Sequence, residues 1–264
     1  MEVSNAGKMP SLACDVAGAG PAIVFIHAFP LNRRMWSPQV ARLRGHARLI
    51  ALDLPGFGRT PPVAAASLAD FADAVAGLLD RLESTRAVVV GCSMGGYVAQ
   101  ALAVRYPARV AALGLANTRA RGDSPEVRAG RAELVALVRA QGMAPVADRQ
   151  LPKLLSRRGL SDPAHVALVR EMIGEGTPQG LITAAAAMAA RPDLMPALPS
   201  IPCPAAVIAG TEDAIIPVAE AEEMAARLPR GRCVRLEGAG HLANLELPDE
   251  FTAAIDSLLR DGLP

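Results

Sequence analysis

Short apolar runs alternate with helical stretches along most of this chain, and that alternation constrains its fold more than any single motif. The runs AIVFIHAFP (22–30), ARLIALDLPGFG (47–58), RAVVVG (86–91), VAALGLAN (110–117), AAVIAG (205–210) and CVRLEG (233–238) are aliphatic and stop at glycine, proline or a polar residue, as buried strands do. Between them, SPQVARLRG reads as a short helix with Ser37 as cap and Pro38 at the first helical position. SLADFADAVAGLLDRLES is a longer one. Its Ser67 and Asp70 form a capping box, and Leu68, Phe71, Val75, Leu78, Leu79 and Leu82 recur at helical spacing. GGYVAQALAVRYP, PVAEAEEMAARLP and LPDEFTAAIDSLLRDG complete the set. Strands that alternate with helices predict an α/β fold, a mostly parallel central sheet with helices on both faces. The opening PSLACDVAGAG reads as a hairpin edge leading into that sheet.

The alternation breaks between about residues 119 and 200, where no strand-like run occurs. Three segments there begin with a cap residue followed by proline: Ser124–Pro125, Asp162–Pro163 and Thr177–Pro178. With the helical VADRQLPKLLS they predict a helical cap, 119–200, inserted into a core made of 1–118 and 201–264. An insertion at the carboxyl ends of parallel strands would lie over the place where such sheets bind ligands.

Composition narrows the function classes. With 51% hydrophobic but only 3% aromatic residues, the core of this 264-residue chain must be aliphatic. Its 27 basic and 26 acidic residues leave a net charge of +1 with no long run of either sign, which argues against a nucleic-acid or membrane-surface partner. The Arg-rich TRARGDSPEVRAGR also carries Asp123 and Glu126 and reads as a solvated face. Cys14, Cys92, Cys203 and Cys233 are widely spaced with no C-x-x-C pair, so neither a metal site nor a disulfide framework is expected. MEVSNAGKMP lacks the apolar stretch of a signal peptide, and no run approaches a membrane span. The expectation is a soluble cytoplasmic protein, monomer or homodimer.

One run ends unusually. VVVGCSMGGYVAQ (88–100) passes from strand to glycine to Ser93 to helix, the context of a nucleophile on a bend too tight for side chains nearby. Gly91, Gly95 and Gly96 would permit the bend; a plain helix-capping serine is the alternative. A serine hydroxyl needs a base. His241, in LEGAGHLANLELP just past a strand, suits better than His27, which reads as a brace for the first long loop, or His46 and His165, which read as surface or packing residues. Asp213, in VIAGTEDAIIP, lies past another strand and would orient the imidazole. Its neighbour Glu212 should diverge from it. Asp53 reads as fixing its own turn.

Together GCSMGG, AGTEDAIIP, GAGHLANLELP and DLPGFGRT resemble the α/β-hydrolase family over about residues 20–260, in its serine-nucleophile branch. The resemblance implies a Ser93–Asp213–His241 triad and an oxyanion hole built from the backbone N–H groups of Met94 and Phe29. Where the family usually has His-Gly, this chain has His27–Ala28, and the extra methyl would narrow the entrance or shift the loop. TPQGLITAAAAMAARPD is similar to the cap of small carboxylesterases and 3-oxoadipate enol-lactonases. Ester or lactone hydrolysis without metal or organic cofactor is the implied activity, with a short- to medium-chain carboxylesterase first, an enol-lactonase second and carbon–carbon bond hydrolysis third. A slow-turnover ligand receptor and a non-catalytic scaffold remain as non-enzyme alternatives. Leu154, Met172, Leu181 and Met188 could line an acyl pocket, although helix core is an alternative role for each. Arg191 would point inward in an enol-lactonase, or pair with Asp193 to fix a loop.

Overall fold

The computed structural model of the protein describes residues 9–262. The N-terminal segment judged to lack a leader lies, up to residue 8, outside the described residues. The chain begins with β1 (Cys14–Ala17), β2 (Ala22–Ile26), α1 (Ser37–Leu43), β3 (Arg48–Leu52), α2 (Leu68–Arg81), β4 (Ala87–Cys92), α3 (Met94–Arg105) and β5 (Val110–Ala116). A helical segment follows: α4 (Pro125–Gln141), α5 (Val146–Leu154), α6 (Arg157–Leu160), α7 (Pro163–Gly174) and α8 (Pro178–Ala189). The alternation then resumes with β6 (Ala205–Gly210), α9 (Val218–Arg227), β7 (Gly231–Leu236), α10 (Ala243–Glu246) and α11 (Pro248–Gly262).

Among the described residues the strands form one seven-stranded sheet in the order β1-β3-β2-β4-β5-β6-β7. All neighbours are parallel except β1 with β3. β1 is thus the expected edge strand but no hairpin partner of β2; β3 lies between them. The chain winds from β2 to β3 on one side, then crosses to place β4 on the other side of β2. The loops leaving β2 and β4 therefore diverge, and a crevice opens at their carboxyl ends.

Alternate strand residues build the two faces. Val24, Ile26 and Val89 pack with Leu78 and Leu102 of α2 and α3. Ile23, Phe25, Val88 and Val90 pack on the opposite face with Trp36, Phe251 and Leu258. The Trp36 ring bridges the Phe25 and Phe251 rings at 5.1 and 5.9 Å between centroids. Each such buried side chain stabilises the fold by about 1.5–3 kcal/mol.

Local signals account for the helix starts. Ser67 and Asp70 close a reciprocal capping box on α2. Ser124, Asp162 and Thr177 cap α4, α7 and α8, each with proline in the first turn. Ser37 does not cap α1. A 3-10 turn (Arg33–Trp36) runs directly into that helix, and the Ser37 hydroxyl donates back to the Arg34 carbonyl.

Backbone hydrogen bonds at both ends tie the helical segment to loops of the core. The Thr177 amide donates to the Gly56 carbonyl at 3.0 Å. Gly180 lies so close to Gly56, whose φ is +87°, that a Cβ on either would collide with the other's backbone. At the other end the Leu242 amide donates to the Leu154 carbonyl at 3.0 Å.

Candidate active site

Ser93 stands between β4 and α3 with φ 53° and ψ −113°. A β-carbon disfavours this backbone, and such strain at a single residue marks positions that the surrounding structure over-determines. The surroundings here are specific. The Ser93 amide donates to the Ala116 carbonyl at 2.9 Å, and its carbonyl accepts from the Thr118 hydroxyl at 2.8 Å and the Gly96 amide at 2.9 Å. A Cβ on Gly91 would strike the Gly95 carbonyl, and one on Gly95 the Ile26 carbonyl. Only glycine lets α3 start this close to β2 and β4. The Gly96 and Tyr97 amides of α3 point back at the Ser93 carbonyl, so the positive dipole end of that helix begins at Ser93.

Two other loops at the same sheet end carry the histidine and the acid. His241 follows β7, and its Nδ1 lies 2.8 Å from Asp213 Oδ2 and 3.0 Å from Oδ1. Both side chains are about 1% exposed. Asp213 follows β6 and accepts from the Ile215 and Ile216 amides at 2.8 and 3.0 Å. Burial works to raise its pKa. The facing His241 and the hydrogen bonds from His241, Asn117 and Ile215 outweigh burial and hold the carboxyl below its ordinary value. A carboxylate kept ionised beside Nδ1 favours a proton on that nitrogen, leaving Nε2 as the free acceptor. Glu246 steadies the loop before His241 by accepting from the Gly240 and Ser156 amides at 3.3 and 3.0 Å.

Asn117 joins this group without having been singled out from sequence. Its Nδ2 donates to Asp213 Oδ2 at 3.0 Å and to the Gly240 carbonyl at 3.2 Å, so it ties the acid loop to the histidine loop. Its left-handed φ of 46° suits asparagine better than most residues. Cys92, next to Ser93, is buried, and burial together with the Asp213 charge pushes its thiol pKa far up. A neutral thiol does not compete as a nucleophile.

Ser93 and His241 open onto one cavity of about 430 Å3, whose wall also includes Phe29, Tyr97, Leu134, Leu154 and Met188. Met172 and Leu181, expected as pocket candidates, do not line it. Both are fully buried in the apolar core beside Val169 and Ile173, so they pack rather than face the cavity. Among the described residues neither the Phe29 nor the Met94 amide has an intramolecular acceptor, and the Phe29–Pro30 bond is cis. The Ala28 methyl is fully buried and points into the core, so it does not narrow the entrance.

His27 braces this loop, as its sequence position suggests. The Leu54 amide donates to Nε2 at 2.9 Å, so Nδ1–H donates to the Ala28 carbonyl at 2.9 Å. Burial lowers its pKa and keeps the ring neutral. Asp53 accepts from the Arg59 amide at 2.9 Å and so fixes its own turn, and it also holds the buried Arg33. Arg191 is no partner of Asp193. Its guanidinium reaches Asp123 at 2.6 Å and the Arg121 carbonyl at 2.9 Å, away from the Ser93 cavity, while Asp193 caps the Met195 amide.

Comparison with known proteins places these features in context. A family model described as the alpha/beta hydrolase family matches residues 23–254. A thermophilic esterase from Thermogutta terrifontis is 39% identical with a TM-score of 0.91, covering 94% of this chain and 93% of its own. An enol-lactonase from Burkholderia xenovorans is 33% identical with a TM-score of 0.87, covering 94% of this chain and 96% of its own. A pimeloyl-[acyl-carrier protein] methyl ester esterase from Nitrosomonas europaea is 32% identical, across 95% of this chain and 100% of its own length.

Proposed function

The chain belongs to the alpha/beta hydrolase family, and on that footing we propose that it cleaves carboxylic esters or lactones by acyl transfer through Ser93. One observation carries this reading. A strained serine at the head of α3 shares a cavity with His241, whose Nδ1 is held 2.8 Å from a buried aspartate. His241 Nε2 takes the Ser93 proton as Oγ bonds to the substrate carbonyl carbon. The Phe29 and Met94 amides donate to the resulting oxyanion. His241 returns the proton to the leaving alkoxide, which departs as an alcohol or, in a lactone, stays attached to the acyl group. Water then gives a proton to His241, attacks the acyl-enzyme and releases the acid, with the proton passing back to Ser93.

The similar esterases and lactonase support an ester-type substrate. The first choice is a small to medium-chain carboxylic ester, seated against Leu154 and Met188. A second reading, an enol-lactone or other ester with a free carboxylate, is favoured by charge. Arg131, Arg149 and Lys153 line the cavity against the single carboxylate of Glu126. Asp123, shared with Arg191, pairs with Arg131 and Glu133 pairs with Arg149, whereas among the described residues Lys153 makes no ion pair. Steady release of p-nitrophenol from short esters tests the proposal. Ser93→Ala is expected to lower kcat by roughly a millionfold. Saturable ester binding without multiple turnovers would instead mark a receptor.

A further inference from the structure

The glycine before His241 is held from both sides. Its carbonyl accepts from Asn117 Nδ2 at 3.2 Å, and its amide donates to Glu246 Oε1 at 3.3 Å. The same Oε1 accepts from the Ser156 amide at 3.0 Å, and Oε2 accepts from the Ser156 hydroxyl. Ser156 belongs to the helical segment, where it is the N-cap of α6. One carboxylate thus gathers three donors from two stretches of chain 84 or more residues apart in sequence. The junction is tight. A Cβ on Gly240 would strike the Ser156 amide nitrogen, and one on Gly159 would press on the Glu246 carboxyl.

None of the three donors lies in α10, the helix that Glu246 ends, so the carboxylate does not serve its own helix. Charge-assisted hydrogen bonds to amides of two segments hold those segments within a narrow range of distance. The next residue is His241, and the height of its backbone decides how Nε2 meets the Ser93 hydroxyl. A misplacement of about 1 Å at such a site costs about a hundredfold in rate. We propose that Glu246 is a positioning residue for His241. It ties the Gly240–His241 stretch to Ser156, while Asn117 holds the Gly240 carbonyl from the end of β5, and the imidazole is seated between these two anchors. The role rests on His241 acting as the base for Ser93.

The test compares full-length Glu246→Ala and Glu246→Gln on p-nitrophenyl butyrate, below their melting temperatures. Alanine leaves both amides without an acceptor, whereas glutamine keeps an oxygen for them. Glu246→Ala is expected to lower kcat about a hundredfold with KM within about threefold, and Glu246→Gln to recover kcat to within about threefold of the parent. The His241 Nδ1–H proton resonance, assigned by its loss in His241→Ala, gives a readout that needs no turnover. It should shift or vanish in Glu246→Ala and return in Glu246→Gln. If the parent turns over no ester, the Ser93 reading fails, and this resonance alone then supports or overturns the placement of His241 by Glu246. Should Glu246→Ala not fold, Glu246→Asp draws the carboxylate back by one methylene and should lower kcat about tenfold. A lower Tm with parental kcat and an unmoved resonance, in whichever of these two variants folds, would overturn the proposal.

Discussion

Replacing Ser93 by glycine should destroy turnover and make the protein more stable. At φ 53° and ψ −113° Ser93 lies outside the left-handed well, whose ψ is near +47°, and a β-carbon there costs of order 1–3 kcal/mol. Glycine removes that cost, while its greater freedom in the unfolded chain takes back about 0.5–1 kcal/mol. Taken at mid-range the net gain is about 1 kcal/mol, which at roughly 2–4 °C per kcal/mol for a chain of this size raises Tm by a few degrees. Ser93→Ala is the control, because it loses the same hydroxyl but keeps the β-carbon and its strain. Calorimetry and urea unfolding on the two variants isolate the backbone effect. A Ser93→Gly protein that melts at or below Ser93→Ala would refute the claim that the fold stores strain at this residue.

Acid should reveal the Asp213 pair. Because its pKa is held below the ordinary 3.8, the unfolded chain binds the proton first as pH falls. The stability it contributes is complete above that ordinary value and is lost as pH drops through the lower folded value. The Tm advantage over Asp213→Asn should therefore shrink as the pH falls below about 4; an advantage independent of pH would contradict the pairing. Asn117→Gly keeps a residue tolerant of positive φ but removes the donor to Asp213, and kcat should fall about tenfold, since a charge-assisted bond of about 1.5 kcal/mol is lost. An unchanged kcat would reduce Asn117 to a spacer. Lys153→Glu should raise KM for a monoester of a dicarboxylic acid about tenfold, and much less for the matching neutral ester. Equal effects on both would remove Lys153 from substrate recognition.

Much of the fold was legible because its signals are local. The capping box at Ser67 and Asp70 and the proline-led starts of α4, α7 and α8 are set by residues one to three apart. The elbow was legible for the same reason, its glycines being adjacent to the serine they crowd. What escaped depends on distant partners. Asn117 matters through Asp213, 96 residues away, and only the β4–β5–β6 register brings the two loops together. Arg191 finds Asp123 across 68 residues instead of its near neighbour Asp193. Met172 and Leu181 have the right chemistry for a pocket, but the rotation of their helices turns them into the core. The short α6 and α10 are too brief to show a period.

Peptide mapping after treatment with a fluorophosphonate tests most directly whether Ser93 is an activated nucleophile. One stoichiometric phosphonyl adduct is expected, on the peptide containing Ser93, formed far more slowly in His241→Ala. Full ester turnover with Ser93 unmodified, or an adduct on another residue that accounts for the loss of activity, would contradict it.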